Sequence, residues 1–150
     1  ITLPSFPDII PRVILSSLPT NSQHWQYYHK TTQRSLYEAA SAFARSHQYA
    51  DVIFLNEHQE ITEGAISNIF IQRGHQLLTP PVHCGLLNGI YREHLLETRP
   101  DSSEAILRVE DILAAEHVYI SNAVRGLREV TLCHEADNFF YTTSYNGERK

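Results

Sequence analysis

Methionine is absent from the 150 residues, and cysteine appears twice, at Cys84 and Cys133. Two cysteines make no disulfide framework and stand at no zinc-ligand spacing. A reducing compartment, the cytoplasm, accommodates them. No run or stripe of Lys and Arg occurs, and the formal net charge is −5 at pH 7, so a nucleic-acid backbone has no electrostatic footprint to meet. No apolar stretch approaches the roughly 20 residues that cross a bilayer, and the first residues do not read as a secretory signal. The nine histidines are scattered without an H-x-x-x-H pair, and no C-x-x-C accompanies His83 and Cys84, so no metal set is expected. Internal repeats and low-complexity segments are missing as well. These absences leave a composition ordinary for a soluble globular domain.

What is present fits one domain with a real core: 42% of residues are hydrophobic and 19% charged. Residues 1–12 carry Pro4, Pro7 and Pro11, resist regular structure, and read as a linker or the end of an upstream domain. A chain that opens at Ile1 without methionine reads as a fragment or a processed product. Residues 13–150 are then the folded domain. Arg12 to Leu18 predicts a strand. Thr31 or Thr32 can cap a helix to about His47, with Leu36, Tyr37, Ala40, Phe43 and Ala44 on one face. Asp51–Leu55 and a long Glu60–Gln72 predict strands about a polar turn, and Gly74 returns the chain into Gln76–Thr79. Pro80 and Pro81 end that meander. A helix is expected from about Gly89 to Thr98, a short one over Glu110–Ala115, and strands over His117–Ser121, Glu129–Cys133 and Phe139–Thr143. Without a regular βαβ rhythm, the expected class is α+β, with a barrel-like, largely antiparallel sheet and flanking helices.

Three weak signals carry chemistry. Ile61 to Ile71 reads ITEGAISNIFI, and places Glu63 among apolar residues, where a carboxylate needs a partner or shifts its pKa. A solvated strand glutamate is the plain alternative. Lys30 stands at or before a helix N-terminus, where the macrodipole disfavours a cation and lowers an amine's pKa toward nucleophilicity. Most lysines, however, are simply solvated. Gly85-Leu86-Leu87-Asn88-Gly89-Ile90 runs into a helix start, and Ser121-Asn122-Ala123 ends a strand. Either can hold an anion, and either can be an ordinary turn. A lysine, an acid and an anion cradle together are the set that pyridoxal phosphate requires.

Five blocks, in order, resemble the class IV, or fold type IV, pyridoxal-phosphate enzymes: His29-Lys30-Thr31-Thr32, ITEGAISNIFI, Leu78-Thr79-Pro80-Pro81, CGLLNGIYR from Cys84 to Arg92, and YISNAVRGLREV from Tyr119 to Val130. That family includes branched-chain and D-amino-acid aminotransferases and aminodeoxychorismate lyases. The resemblance implies pyridoxal 5′-phosphate as cofactor and residues 13–150 as the cofactor-binding C-terminal domain. It implies Lys30 as the Schiff-base lysine and catalytic residue, and Glu63 as the acid on the pyridine nitrogen. Ser67 would line the cofactor pocket and Leu87 would pack under the ring. Ile90 and Tyr91 would offer phosphate-binding backbone, with Ser121 and Asn122 as the second phosphate contact.

The wording around Lys30, CGLLNGIYR and ISNAVRGL is similar to aminodeoxychorismate lyase domains, especially those fused behind a synthase component. Branched-chain enzymes commonly carry a tyrosine five residues after the lysine, and here that position is Ser35, with Arg34 beside it as a stand-in. The family's N-terminal domain has no counterpart in these residues. The resemblance thus implies a homodimeric enzyme acting on a small-molecule substrate, with an N-terminal domain or synthase component outside this chain. An aminotransferase is the alternative, and a non-catalytic interaction domain is a third reading.

Overall fold

A computed structural model describes residues 9–23 and 32–133 together with the backbone of a short strand at 139–140. Lys30, and the expected linker up to residue 8, lie outside the described residues. The strands are β1 (Arg12–Ser16), β2 (Asp51–Leu55), β3 (Ile61–Gly64), β4 (Asn68–Arg73), β5 (Gln76–Thr79), β6 (Ser102–Glu104), β7 (His117–Asn122), β8 (Gly126–Leu132) and β9 (Phe139–Phe140). The helices are α1 (Thr32–Ser46), α2 (Ile90–Thr98) and α3 (Val109–Ala114). A 3-10 turn, Val82–Cys84, follows the two prolines.

The sheet runs β3-β2-β1-β8-β7-β4-β5-β6, with β9 also pairing β1. It is mixed. The longest ladders, β4 with β7 and β7 with β8, are antiparallel. β1 pairs in parallel with β2, β8 and β9, and β5 with β6. Continuous apolar runs are what a strand covered on both faces requires, and β1, β2 and β4 have them. Val13 of β1, Ile53 of β2, and Ile69 and Ile71 of β4 enter one cluster with Val118, Ile120 and Val130. The alternate residues Ile14, Val52 and Phe54 face α1, which supplies Leu36, Ala40 and Ala44 at helical spacing. Phe70 turns instead to Leu77 and Leu95 beneath α2. Each such large apolar side chain contributes about 1.5–3 kcal/mol on burial.

The structure departs from the sequence expectation at one important place. Glu60–Gln72 is not one strand. It breaks at Ala65–Ser67, where the Asp51 carboxylate accepts the N–H groups of Ala65 (2.9 Å) and Ile66 (3.2 Å) and the Ser67 hydroxyl (2.5 Å). The Gly64 N–H closes the corner on the Ser67 carbonyl at 2.8 Å. β3 lies at one end of the strand order, and β4 lies between β7 and β5. Joining them through three residues obliges the sheet to curl. Two smaller differences follow from polar sequence. Ser102–Glu104 adds a parallel strand to β5 without any apolar signal. β8 begins at Gly126, earlier than expected, because Asn122 pairs with Gly126 across a three-residue turn.

Candidate active site

Glu63 is the centre of the described site. It lies in a strand buried at all four positions, and is itself 4% exposed. Tyr37 of α1 stacks on Phe54, centroids 4.6 Å apart, which brings its hydroxyl 3.0 Å from Glu63 Oε2, to which it donates. The Leu87 N–H donates to Oε1 at 3.1 Å. Burial pushes the Glu63 acid up to about 8, against the pull of those two donors, and the nearby Asp51 adds to the rise. Burial likewise raises Asp51, to about 6, in spite of its hydrogen bonds from Ser67, Val52, Ile66 and Ala65.

Both acids are raised in the folded chain, so each favours its neutral form there. Their contribution to stability is complete below the ordinary values of 3.8 and 4.5 and is lost as pH rises through about 6 and about 8. In the cofactor-free protein, the urea midpoint is expected to fall as pH is raised across that range. In Glu63→Gln the fall between about pH 4.5 and 8 should be much shallower. An identical pH profile in the two proteins would mean that Glu63 ionises as freely as an exposed acid.

The loop that supplies the Leu87 N–H is held from several sides. The Asn68 amide donates to the Leu87 carbonyl at 2.9 Å, and the Asn56 amide to the Cys84 carbonyl at 3.0 Å. Arg92, 2% exposed, donates to Asn88 Oδ1 (2.7 Å) and the Pro80 carbonyl (2.9 Å), and pairs with Glu104. Gly89 forms the N-cap of α2, and no side chain caps that end. A Cβ on Gly89 would come within 2.4 Å of Asn68 Oδ1, so the close approach of loop and strand requires glycine. Ile90 and Leu87 are exposed, and what this segment offers inward is its backbone.

The start of α2 adjoins the β7–β8 turn, since a Cβ on Gly126 would meet the Tyr91 hydroxyl at 3.4 Å. Ser121 pairs in register with Asn68. It is 1% exposed, and its hydroxyl has no hydrogen-bond partner among the described residues. A buried hydroxyl left unsatisfied costs about 1–3 kcal/mol, so this group points to a missing acceptor. Asn122 Oδ1 accepts from the N–H of Val124 (3.0 Å) and of Arg125 (2.8 Å), which shapes the turn.

Glu63, Leu87, Asn68 and Ser121 thus form one connected set, continued by Ile90 and Tyr91. Ser67 joins it differently from the sequence expectation: its hydroxyl serves Asp51 and not open space. Ser35 is exposed, and Arg34 is exposed beside Glu38 at 3.8 Å, so the stand-in role for Arg34 finds no support in its contacts. Lys30 itself is outside the described residues, two residues before α1 begins. Four contributors carry no sequence signal for their role. Tyr37 falls on the packing face of its helix. Asp51, Asn68 and Arg92 belong to apolar or family-like segments with no mark of their partners. The nearest available signal is the lone acid Asp51 opening an apolar strand.

Chemically, the set offers a neutral buried acid, a hydroxyl without a partner among the described residues and a helix start with no side-chain cap. These are the complements of a basic ring nitrogen and of an anionic group.

The chain belongs to the amino-transferase class IV family, whose description matches residues 2–133. It is 29% identical over 89 residues to the aminodeoxychorismate lyase of Bacillus subtilis, which is 57% of this chain and 30% of that protein. A Mesorhizobium loti protein of known structure, provisionally named an amino-acid aminotransferase, is 34% identical with a TM-score of 0.74, over 84% of this chain and 61% of the other. The fold recurs in the branched-chain amino acid aminotransferase of Thermobaculum terrenum in its PLP form, 20% identical, TM-score 0.71, over 83% of this chain and 43% of the other. The chain therefore spans less than two thirds of each of these proteins.

Proposed function

We propose that this chain is the cofactor-binding domain of a pyridoxal-phosphate-dependent aminodeoxychorismate lyase, which converts 4-amino-4-deoxychorismate to 4-aminobenzoate and pyruvate. The observation that carries the reading is Glu63, a buried acid with both oxygens oriented by neutral donors and with no charged hydrogen-bond partner among the described residues. A basic ring nitrogen placed against it would take up its proton and leave an ion pair, which relieves the cost of burying either group alone. The Ser121 hydroxyl, without a partner among the described residues, and the backbone at Ile90 and Tyr91 suit the cofactor phosphate, and Asn122 shapes the turn after Ser121. Leu87 would lie under the ring.

When bound, pyridoxal phosphate supplies an aldehyde that captures amines and a ring that accepts electrons. Lys30 is the amine that would hold that aldehyde and, once displaced by the substrate amine, the base that would take the proton from the amine-bearing carbon. Glu63 would keep the ring nitrogen protonated while negative charge develops, which is where the stabilisation speeds the reaction. Ser35, in place of the tyrosine common in branched-chain enzymes, and the likeness to the Bacillus lyase favour the lyase. The likeness to the Mesorhizobium protein supports amino transfer on the same residues as the second reading. Folate precursor synthesis, a cytoplasmic homodimer, and completion of the site by a further domain or a synthase component belong to the same proposal.

Two measurements test it. With pyridoxal phosphate, the protein should gain a visible absorbance that borohydride fixes as an adduct mapped to Lys30, and Lys30→Ala should show neither. An adduct on another lysine sinks the assignment. Pyruvate released from aminodeoxychorismate marks the lyase, whereas amino transfer between an amino acid and a keto acid without pyruvate release marks the transferase.

A further inference from the structure

The arginines of this chain divide into two groups. Arg34, Arg73, Arg92, Arg99 and Arg108 each lie within ion-pair distance of a carboxylate, and Arg12 lies over the Tyr49 ring at 5.0 Å. The remaining described arginines, Arg45, Arg125 and Arg128, take part in no ion pair among the described residues. In a chain with 17 acidic and 12 basic side chains, four arginines, Arg12 among them, have no carboxylate partner among the described residues, and the other three, Arg45, Arg125 and Arg128, line the same cleft.

That cleft encloses about 430 Å³ between the C-terminal half of α1, the corner after β3 and the β7–β8 hairpin. Small-molecule pockets run from roughly 300 to 1,000 Å³. The one acid in its lining is Asp51, whose two oxygens are already occupied by the N–H groups of Val52, Ala65 and Ile66 and by the Ser67 hydroxyl. No other carboxylate among the described residues of that lining offsets the guanidinium groups. Two of the three are placed by the fold. Asn122 Oδ1 accepts the Arg125 N–H and so sets the turn that carries this residue. Arg128 stands in β8 opposite Ile120. Arg45 donates to Ser41 at 3.0 Å from the α1 side.

We propose that this cleft is a binding site for a small anion bearing a phosphate or two carboxylates, separate from the cofactor site. Guanidinium forks match the planar oxygens of either group, and three of them suit a ligand with more than one negative charge. The lining includes none of Glu63, Leu87, Ile90, Tyr91 or Ser121. It does share Asn122 and Asp51 with the turn and the corner that shape the neighbouring site. An anion held by Arg125 and Arg128 would therefore stiffen the hairpin that carries Ser121 and the corner that follows Glu63. The inference stands on this cleft alone and does not depend on the lyase reading.

The test is titration calorimetry of the cofactor-free chain with inorganic phosphate and, separately, with malonate, at matched ionic strength set by chloride. Saturable binding of either probe is expected; the one-to-one component that persists under saturating pyridoxal phosphate, which fills the cofactor's own phosphate site, belongs to the cleft, and the tighter probe tells which chemistry the cleft prefers. Arg125→Gln/Arg128→Gln should weaken that component at least tenfold, whereas Arg73→Gln, which removes one charge elsewhere, should not change it. Arg45→Gln serves as an independent variant should the double variant fail to fold, with a weakening of severalfold expected. Ser121→Ala and saturating pyridoxal phosphate should leave that component intact. Equal affinity in the cleft variants, an equal loss in Arg73→Gln, or complete displacement by pyridoxal phosphate would each overturn the proposal.

Discussion

Glu63→Gln is expected to retain pyridoxal phosphate on Lys30 and to lose kcat by about 10²-fold or more, which is about 2.7 kcal/mol of transition-state stabilisation. The physical basis is the environment of that carboxyl. Buried beside Tyr37 and the Leu87 N–H, Glu63 is pushed up to about 8, so it has little reason to ionise until a base is placed against it. Pairing with a ring nitrogen leaves the acid anionic and the ring cationic, and each pKa unit gained by the ring is about 1.4 kcal/mol of preference for its protonated form. Glutamine retains the shape, and its one carbonyl oxygen can accept from the Leu87 N–H while its NH2 donates to the Tyr37 hydroxyl, but it cannot take part in that proton exchange. The loss should therefore fall on turnover and only weakly on cofactor affinity. Steady-state kinetics on cofactor-loaded protein, with the bound cofactor quantified by absorbance, separates the two. A folded, loaded Glu63→Gln protein with near-normal kcat would remove Glu63 from the reaction.

The second large effect is structural. Gly64→Ala should destabilise the chain by about 3 kcal/mol or more, at the upper end of what overpacking a core costs. The added Cβ would fall 2.1 Å from Asp51 Oδ2, 2.7 Å from Asp51 Cγ and 2.8 Å from Ser67 Oγ. Asp51 cannot swing away cheaply, because it holds the N–H groups of Val52, Ala65 and Ile66 and the Ser67 hydroxyl. Moving it would leave a buried acid and several buried donors unpaired. Urea unfolding of wild type and Gly64→Ala at one pH measures the difference. The same variant should weaken cofactor binding, since the corner it disturbs follows Glu63 by one residue. A Gly64→Ala chain as stable as wild type would mean that Asp51 does not hold the corner.

Much of this protein is legible in its amino-acid order. The α1 helix follows from Leu36, Ala40 and Ala44 recurring every four residues. β2, β5 and β7 follow from short apolar runs ended by polar turns or prolines. Gly89 before Ile90 marks the start of α2. The family is legible for a related reason: five short blocks that resemble it stand in its order along the chain, and its description matches residues 2–133.

What the amino-acid order determined by itself was therefore the local elements, the class of fold and the residues offered for chemistry, because helical and strand periodicity and motif spacing are properties of neighbours along the chain. Only the tertiary structure decided that Glu60–Gln72 is two strands, that Asp51 makes the corner between them, that Tyr37 and the Leu87 N–H share Glu63, and that Ser67 serves Asp51. It also brought Arg45, Arg125 and Arg128 to one cleft. Each of these depends on a hydrogen bond, a burial or a convergence between residues far apart in the chain, such as Asp51 with Ser67 or Tyr37 with Glu63. A local pattern carries no trace of the partner that folding supplies.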